Sequence, residues 1–121
     1  MLIRIGPFST EAILKMAALA KDYHPAQVLP RLAREAGHRG LVLHPAWISG
    51  CADATIRVAE PNRRVSALTI RYDNPAFQTD TLTLEVNLAE EREQGAVKVL
   101  SFEIFNRRRQ RVASGTAEVR A

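Results

Sequence analysis

Hydrophobic and polar positions change period part-way along the chain. The first half follows the period of a helix. Ile13, Met16, Ala17 and Ala20 fall at i, i+3, i+4 and i+7, one apolar stripe on a helix that should run to about Lys21, with Lys15 off the stripe. Ser9 or Thr10 can cap it, and Glu11 in the first turn complements the helix dipole. Ahead of it, MLIRI reads as a short edge or first strand ended by Pro7. After it, VLPRLAREAG reads as a short, broken helical segment that Gly37 terminates. The most informative helix spans Pro45 to about Ala59, with Pro45 suited to the first helical position. Trp47, Ile48, Cys51, Ala52, Thr55, Ile56 and Ala59 make a wide apolar or small arc, and Asp53, Arg57 and Glu60 a narrow polar one. A helix this apolar should be largely surrounded by protein.

From Val65 onward the period is two. ALTIRY places Leu68, Ile70 and Tyr72 on one face, and TLTLEVNL does the same with Leu82, Leu84, Val86 and Leu88. AVKVLSFEIF switches parity between Val99 and Leu100, which predicts a bulge or burial on both faces. RVASGTAEV is the last strand. EEREQG joins the middle two strands, and NRRRQ turns the last two into a hairpin.

Helices followed by a run of strands predict an α+β domain. The economical packing is an antiparallel sheet curved around one long central helix, the hotdog arrangement. With 121 residues, the whole chain, 1–121, reads as a single domain of this kind. Such a domain has little area for a deep two-lobed cleft, so a deep site would be completed by a second copy.

Composition narrows the function classes. The fractions of hydrophobic (46%) and charged (25%) residues are those of an ordinary globular protein. Cys51 is the one cysteine, which excludes an internal disulfide and fits a reducing compartment. The N-terminal stretch has no signal-peptide pattern, and no apolar run is long enough to cross a bilayer, so a cytoplasmic location with no membrane partner is expected. The histidines are too scattered to predict a metal site, glycine-rich phosphate loops are absent, and no cofactor is expected. The net charge of +4 comes with arginine clusters at NRRV and NRRRQR. These read as solvated turns or as a docking surface for acidic partners, such as a carrier protein or the phosphates of coenzyme A. Nucleic acid is disfavoured, because few aromatic residues lie among the arginines to stack on bases.

The chain also resembles the MaoC-like (R)-specific enoyl-CoA hydratases and 3-hydroxyacyl dehydratases over nearly its whole length. The likeness lies in the capped first helix, the loop at Asp22, GHRGLVLHPA, YDNPAFQTD, and the closing hairpin EIFNRRRQRVASGTAEV. It implies the hotdog fold and water addition or elimination at the 2,3 position of an acyl thioester, the work of a hydro-lyase. The family's loop reads Asp-x-Asn-Pro-x-His, and its Asp and His activate a water between them. That chemistry needs an acid and a base in reach of one water, and donors for the thioester oxygen as it gains charge.

This sequence departs from the pattern. Asp22 and Pro25 match, but His24 takes the Asn position and Gln27 the His position. Gln has no titratable group near neutrality. Pro45 stands where the family has a Gly whose N–H meets the thioester oxygen, and proline has no N–H. The resemblance therefore makes Asp22 and His24 the candidate catalytic pair, with His24 as a rebuilt acid/base. Gln27, His44, Ala46, Trp47 and Asp53 are candidates for binding substrate. The N–H groups of Ala46 and Trp47, at the positive end of the helix, could replace the lost donor. Each residue has a plainer role open to it: Asp22 a turn residue, His24 a loop contact, Gln27 a surface residue, His44 the helix cap, Trp47 packing, and Asp53 an ion pair with Arg57. An acyl-CoA or acyl-carrier-protein substrate and a homodimer or higher oligomer follow from the enzyme reading. The alternative is a non-catalytic hotdog subunit that binds an acyl thioester or stabilises a catalytic hotdog partner in a heterodimer.

Overall fold

The computed structural model describes residues 1–9, 11–12 and 42–121. The elements in chain order are β1 (Leu2–Ile5), α1 (Pro45–Ala59), β2 (Arg64–Tyr72), β3 (Leu82–Arg92), β4 (Val97–Phe105) and β5 (Arg111–Arg120). A short 3-10 turn, Glu93–Gly95, connects β3 to β4. The strands form one antiparallel sheet in the order β1-β3-β4-β5-β2, with α1 packed on its inner face. The α+β architecture expected from the two periods is what the chain adopts. The bounds expected for α1 are also those observed. Of the first helix, Glu11 and Ala12 are described, and Ser9 Oγ accepts the Ala12 N–H at 3.1 Å, so Ser9 is the cap. The rest of that helix and the VLPRLAREAG segment lie outside the described residues.

The core forms where the inward side chains of the sheet meet one face of α1. Ile48, Ala52 and Ile56 pack against Leu82, Leu84, Leu100, Phe102, Ile104 and Val119. Three details of the strands differ from the expectation. First, β3 stays buried through Val86, but Leu88 is 55% exposed although its β4 partner Leu100 is buried. Second, the irregularity expected near Val99 is present, yet the extra residue is on the partner strand: Leu100 pairs with Leu88 and Val99 with Glu90, leaving Ala89 as the bulge. Third, the β3–β4 connection is shorter than EEREQG, since Glu90–Arg92 still pair with β4. Backbones at Glu93, Gln94 and Gly95 have positive φ, which turns the chain within those residues.

The expectation for α1 needs the larger correction. Ile48, Ala52, Thr55 and Ile56 are buried, but Ala46, Gly50, Ala54 and Val58 are exposed on the opposite side. The sheet covers one face of the helix, and the small and apolar residues of the other face remain at the surface.

Two glycines allow close approach. Gly115 in β5 lies under the Phe102 ring and beside the Thr69 carbonyl, and a Cβ there would collide with both. Gly6, with φ of 110°, turns the chain out of β1 against the Asp80 carbonyl.

Candidate functional site

The N-terminus of α1 is where the resemblance leads to the expectation of a thioester contact. Pro45 fixes φ at the first helical position, and His44 precedes it in extended conformation as the cap. His44 Nδ1 accepts the Ala46 N–H at 2.9 Å. The neutral imidazole therefore carries its proton on Nε2. The His44 carbonyl accepts the Trp47 N–H at 2.9 Å and the Ile48 N–H at 3.3 Å. Pro45 has no N–H, so each amide of the first turn is either missing or engaged.

The helix end is held from the sheet side as well. Tyr72, expected inward, is 44% exposed at the end of β2, and its hydroxyl donates to the Pro45 carbonyl at 3.0 Å. Leu43 N–H donates to the Ala76 carbonyl at 2.8 Å, and Val42 bridges Phe77. Asp80, fully buried, accepts the Phe77 N–H on Oδ2 at 2.9 Å. The YDNPAFQTD segment thus works as a brace for the start of α1. Nothing in the local pattern of the sequence marks that brace, because hydrogen bonds between distant segments leave no periodicity.

Two cavities flank this helix end. One, of about 340 Å³, lies between Pro45 and Ile48 of α1 and the Tyr72–Ala76 connection, with Val112 at its base. Its walls are chiefly carbon. Its carboxylate, Asp73, is held by Arg71 at 3.3 Å and Arg111 at 3.0 Å. The other, of about 280 Å³, is bounded by Ile5, Phe8, Ala46, Trp47, Cys51 and Ala54. Trp47 packs edge-on against Phe8 with ring centroids 5.4 Å apart. Burial pushes the Cys51 thiol up from its ordinary value, so it stays protonated at neutral pH.

Among the expected site residues, His44, Ala46 and Trp47 converge at the start of α1. Asp53 does not join them. It sits two turns further on, exposed, and its Oδ2 accepts from Arg57 Nε at 2.9 Å. That contact raises the Arg57 guanidinium above its usual value through the hydrogen bond and the opposite charge. Asp22, His24 and Gln27 lie outside the described residues. Among the described residues no cluster of His, Cys, Asp and Glu could hold a metal ion, and no helix is long and apolar enough to cross a membrane.

No family model matches the chain, and no curated protein matches it. Solved structures do. The (R)-hydratase from A. caviae involved in PHA biosynthesis aligns over 99% of this chain and 93% of its own, with a TM-score of 0.86 and 20% identity. The chain has the hotdog fold. R-hydratase PhaJ1 from Pseudomonas aeruginosa aligns over 100% of this chain and 78% of its own, with a TM-score of 0.84 and 18% identity. The ChsH1–ChsH2 complex from Mycobacterium tuberculosis aligns over 99% of this chain and 92% of that one, with a TM-score of 0.83 and 13% identity. At such identities the likeness establishes the hotdog fold, and the resemblance drawn from the sequence to MaoC-like hydratases holds at that level. Within the hotdog, α1 is the central helix and the sheet its wrapping.

Proposed function

We propose that the chain acts on an acyl thioester of coenzyme A or a carrier protein, adding or removing water at the 2,3 position. The observation that carries this reading is the apolar cavity at the start of the central helix, in a fold shared with two (R)-hydratases. An apolar chain would fill the carbon-lined cavity, and the thioester would meet the braced end of α1. Asp22 and His24 would handle the protons: one group takes a proton from water as its oxygen bonds to C3, and a proton is delivered to C2. Dehydration runs the same steps in reverse. The test is loss of enoyl absorbance from a short enoyl-CoA with wild type, Asp22→Ala and His24→Ala. Turnover by wild type that disappears in both variants supports the reading. A wild type inert toward CoA- and carrier-linked substrates sinks it.

The first turn of α1 favours a second reading. An enolate oxygen needs N–H donors, and losing one such donor costs about 3 kcal/mol of transition-state stabilisation. Here the Ala46 and Trp47 N–H groups already bond to His44, and Pro45 offers none. A non-catalytic hotdog subunit, which binds the thioester or supports a catalytic partner, needs no such donors. The relative named as a complex of ChsH1 with ChsH2 is a precedent for two chains in one assembly. Acyl-CoA binding without turnover, with turnover appearing on addition of a catalytic hotdog chain, would favour this reading over the first.

A further inference from the structure

The β4–β5 turn carries Arg107, Arg108 and Arg109 in succession, all exposed. The turn is built to hold its shape. Asn106, 3% exposed, accepts the N–H groups of Arg108 at 2.9 Å and Gln110 at 3.0 Å on Oδ1, and its Nδ2 donates to Gln110 Oε1 at 3.0 Å. The Asn106 and Gln110 backbones close the loop with a 2.9 Å hydrogen bond, and Arg109 adopts a φ of 62°. With the backbone of the turn already fixed, binding has only the side chains left to order.

The three guanidinium groups have no carboxylate partner among the described residues. Most of the other described arginines have one: Arg57 with Asp53, Arg63 with Glu60, Arg71 and Arg111 with Asp73, Arg92 with Glu90 and Arg120 with Glu118. Arg4, also without one, pairs with Thr83, which pairs with Phe105, so it lies on the outer face at the same end of the sheet. Arg64 is at the opposite end, across from Arg120. Among the described residues, the uncompensated positive charge is therefore concentrated at the turn.

The turn is rooted in the wall of the larger cavity. Arg111, next after Gln110, accepts from Asn74 Nδ2 on its carbonyl at 2.8 Å and pairs through Nε with Asp73, while the Asp73 N–H donates to the Val112 carbonyl. Asp73, Asn74 and Val112 line that cavity. Arg108 is four residues from Val112, so its Cα lies within about 14 Å of that wall. A pantetheine arm is long enough to run from a thioester at the cavity to this tip.

We propose that Arg107, Arg108 and Arg109 form the subsite for the phosphates of coenzyme A. The inference rests on the thioester reading above and selects CoA as the carrier. Guanidinium groups grip phosphate in bidentate fashion, and three of them on a fixed turn match a ligand with several phosphates. An acidic carrier protein fits less well. Glu85 and Glu103 face each other on adjacent strands just behind the turn, and although Glu103 pairs with Arg111 at 3.6 Å, a broad acidic surface would still meet Glu85.

The experiment measures binding of a short acyl-CoA and of the same acyl-pantetheine, which lacks the phosphates, to wild type and to the triple variant Arg107→Ala, Arg108→Ala, Arg109→Ala. Thermal melting checks that the variant is folded. The expected result is acyl-CoA binding about tenfold weaker in the variant, with acyl-pantetheine bound equally by both proteins. In wild type, added salt should weaken acyl-CoA and leave acyl-pantetheine unchanged. Equal acyl-CoA affinity in the two proteins overturns the inference while the thioester reading stands. So does arginine-dependent binding of an acylated carrier protein without binding of acyl-CoA. Failure of wild type to bind any of the thioesters overturns the thioester reading and the inference with it.

Discussion

At the scale of single residues, the start of α1 is decided by His44. Its Nδ1 satisfies the Ala46 N–H, an amide that the helix cannot satisfy itself. His44→Ala should lower stability by about 1 kcal/mol in urea unfolding, and His44→Asn, another capping side chain, should recover most of it. If His44→Asn loses as much as His44→Ala, the cap is not what the imidazole contributes. Cys51 gives a residue-scale pH dependence. Burial raises the thiol's value in the folded state, so the native protein holds its proton to higher pH than the unfolded chain. Stability is then fully present below the unfolded value of about 8.5 and falls as pH rises above it. Unfolding midpoints measured from pH 7 to about 10 should drop less steeply in Cys51→Ala than in wild type. An identical slope would show that the thiol does not couple to folding.

The same scale shows which parts of the site could be seen in the sequence. The cap role of His44 and the Asp53–Arg57 pair were legible, because both depend on residues within one helical turn. The loss of free amides at Ala46 and Trp47 was not. An N–H near a helix start is open to a ligand until some acceptor reaches it, and here the His44 ring takes that of Ala46 and the His44 carbonyl that of Trp47. Tyr72 reaching the Pro45 carbonyl was missed for a similar reason: the bond joins segments 27 residues apart.

At the scale of elements, α1 has two faces with different roles. Ile56 is 0% exposed among the inward side chains of the sheet, whereas Val58 is 60% exposed on the far side. Ile56→Ala should cost about 2–5 kcal/mol in urea unfolding, since deleting buried methyl groups forfeits transfer energy and leaves a cavity. A loss below about 1 kcal/mol would mean the core can collapse around the gap. The strands themselves were legible because their alternation is local, down to the irregularity opposite Val99. What alternation could not give is how far along a strand the burial runs. Leu88 continues the pattern of Leu84 and Val86, yet it is exposed while its partner Leu100 is buried. Likewise, the apolar arc of α1 indicates how much helix prefers to be covered, and not which molecule covers it.

At the scale of the whole molecule, two surfaces call for a partner. Among the described residues, the strand β2 forms one edge of the sheet over Arg64–Tyr72, and the outer face of α1 exposes Ala46, Gly50, Ala54 and Val58. An open edge of that length is a template for pairing with another strand, and small residues on a helix face let a second helix approach closely. We expect a second copy to pair its sheet across this edge and bring its α1 beside the first, in the closed two-fold arrangement usual for identical chains. Light scattering after gel filtration should then give twice the mass of one chain. Val58→Glu would place a charge in the helix contact and should shift the protein toward the monomer. Because Val58 is mostly exposed within one chain, the variant should keep its far-UV helical signal, which separates lost association from lost folding. A wild type that runs as a monomer throughout the micromolar range would exclude the homodimer. Those same two surfaces would then belong to a different hotdog chain, the assembly that the second functional reading requires.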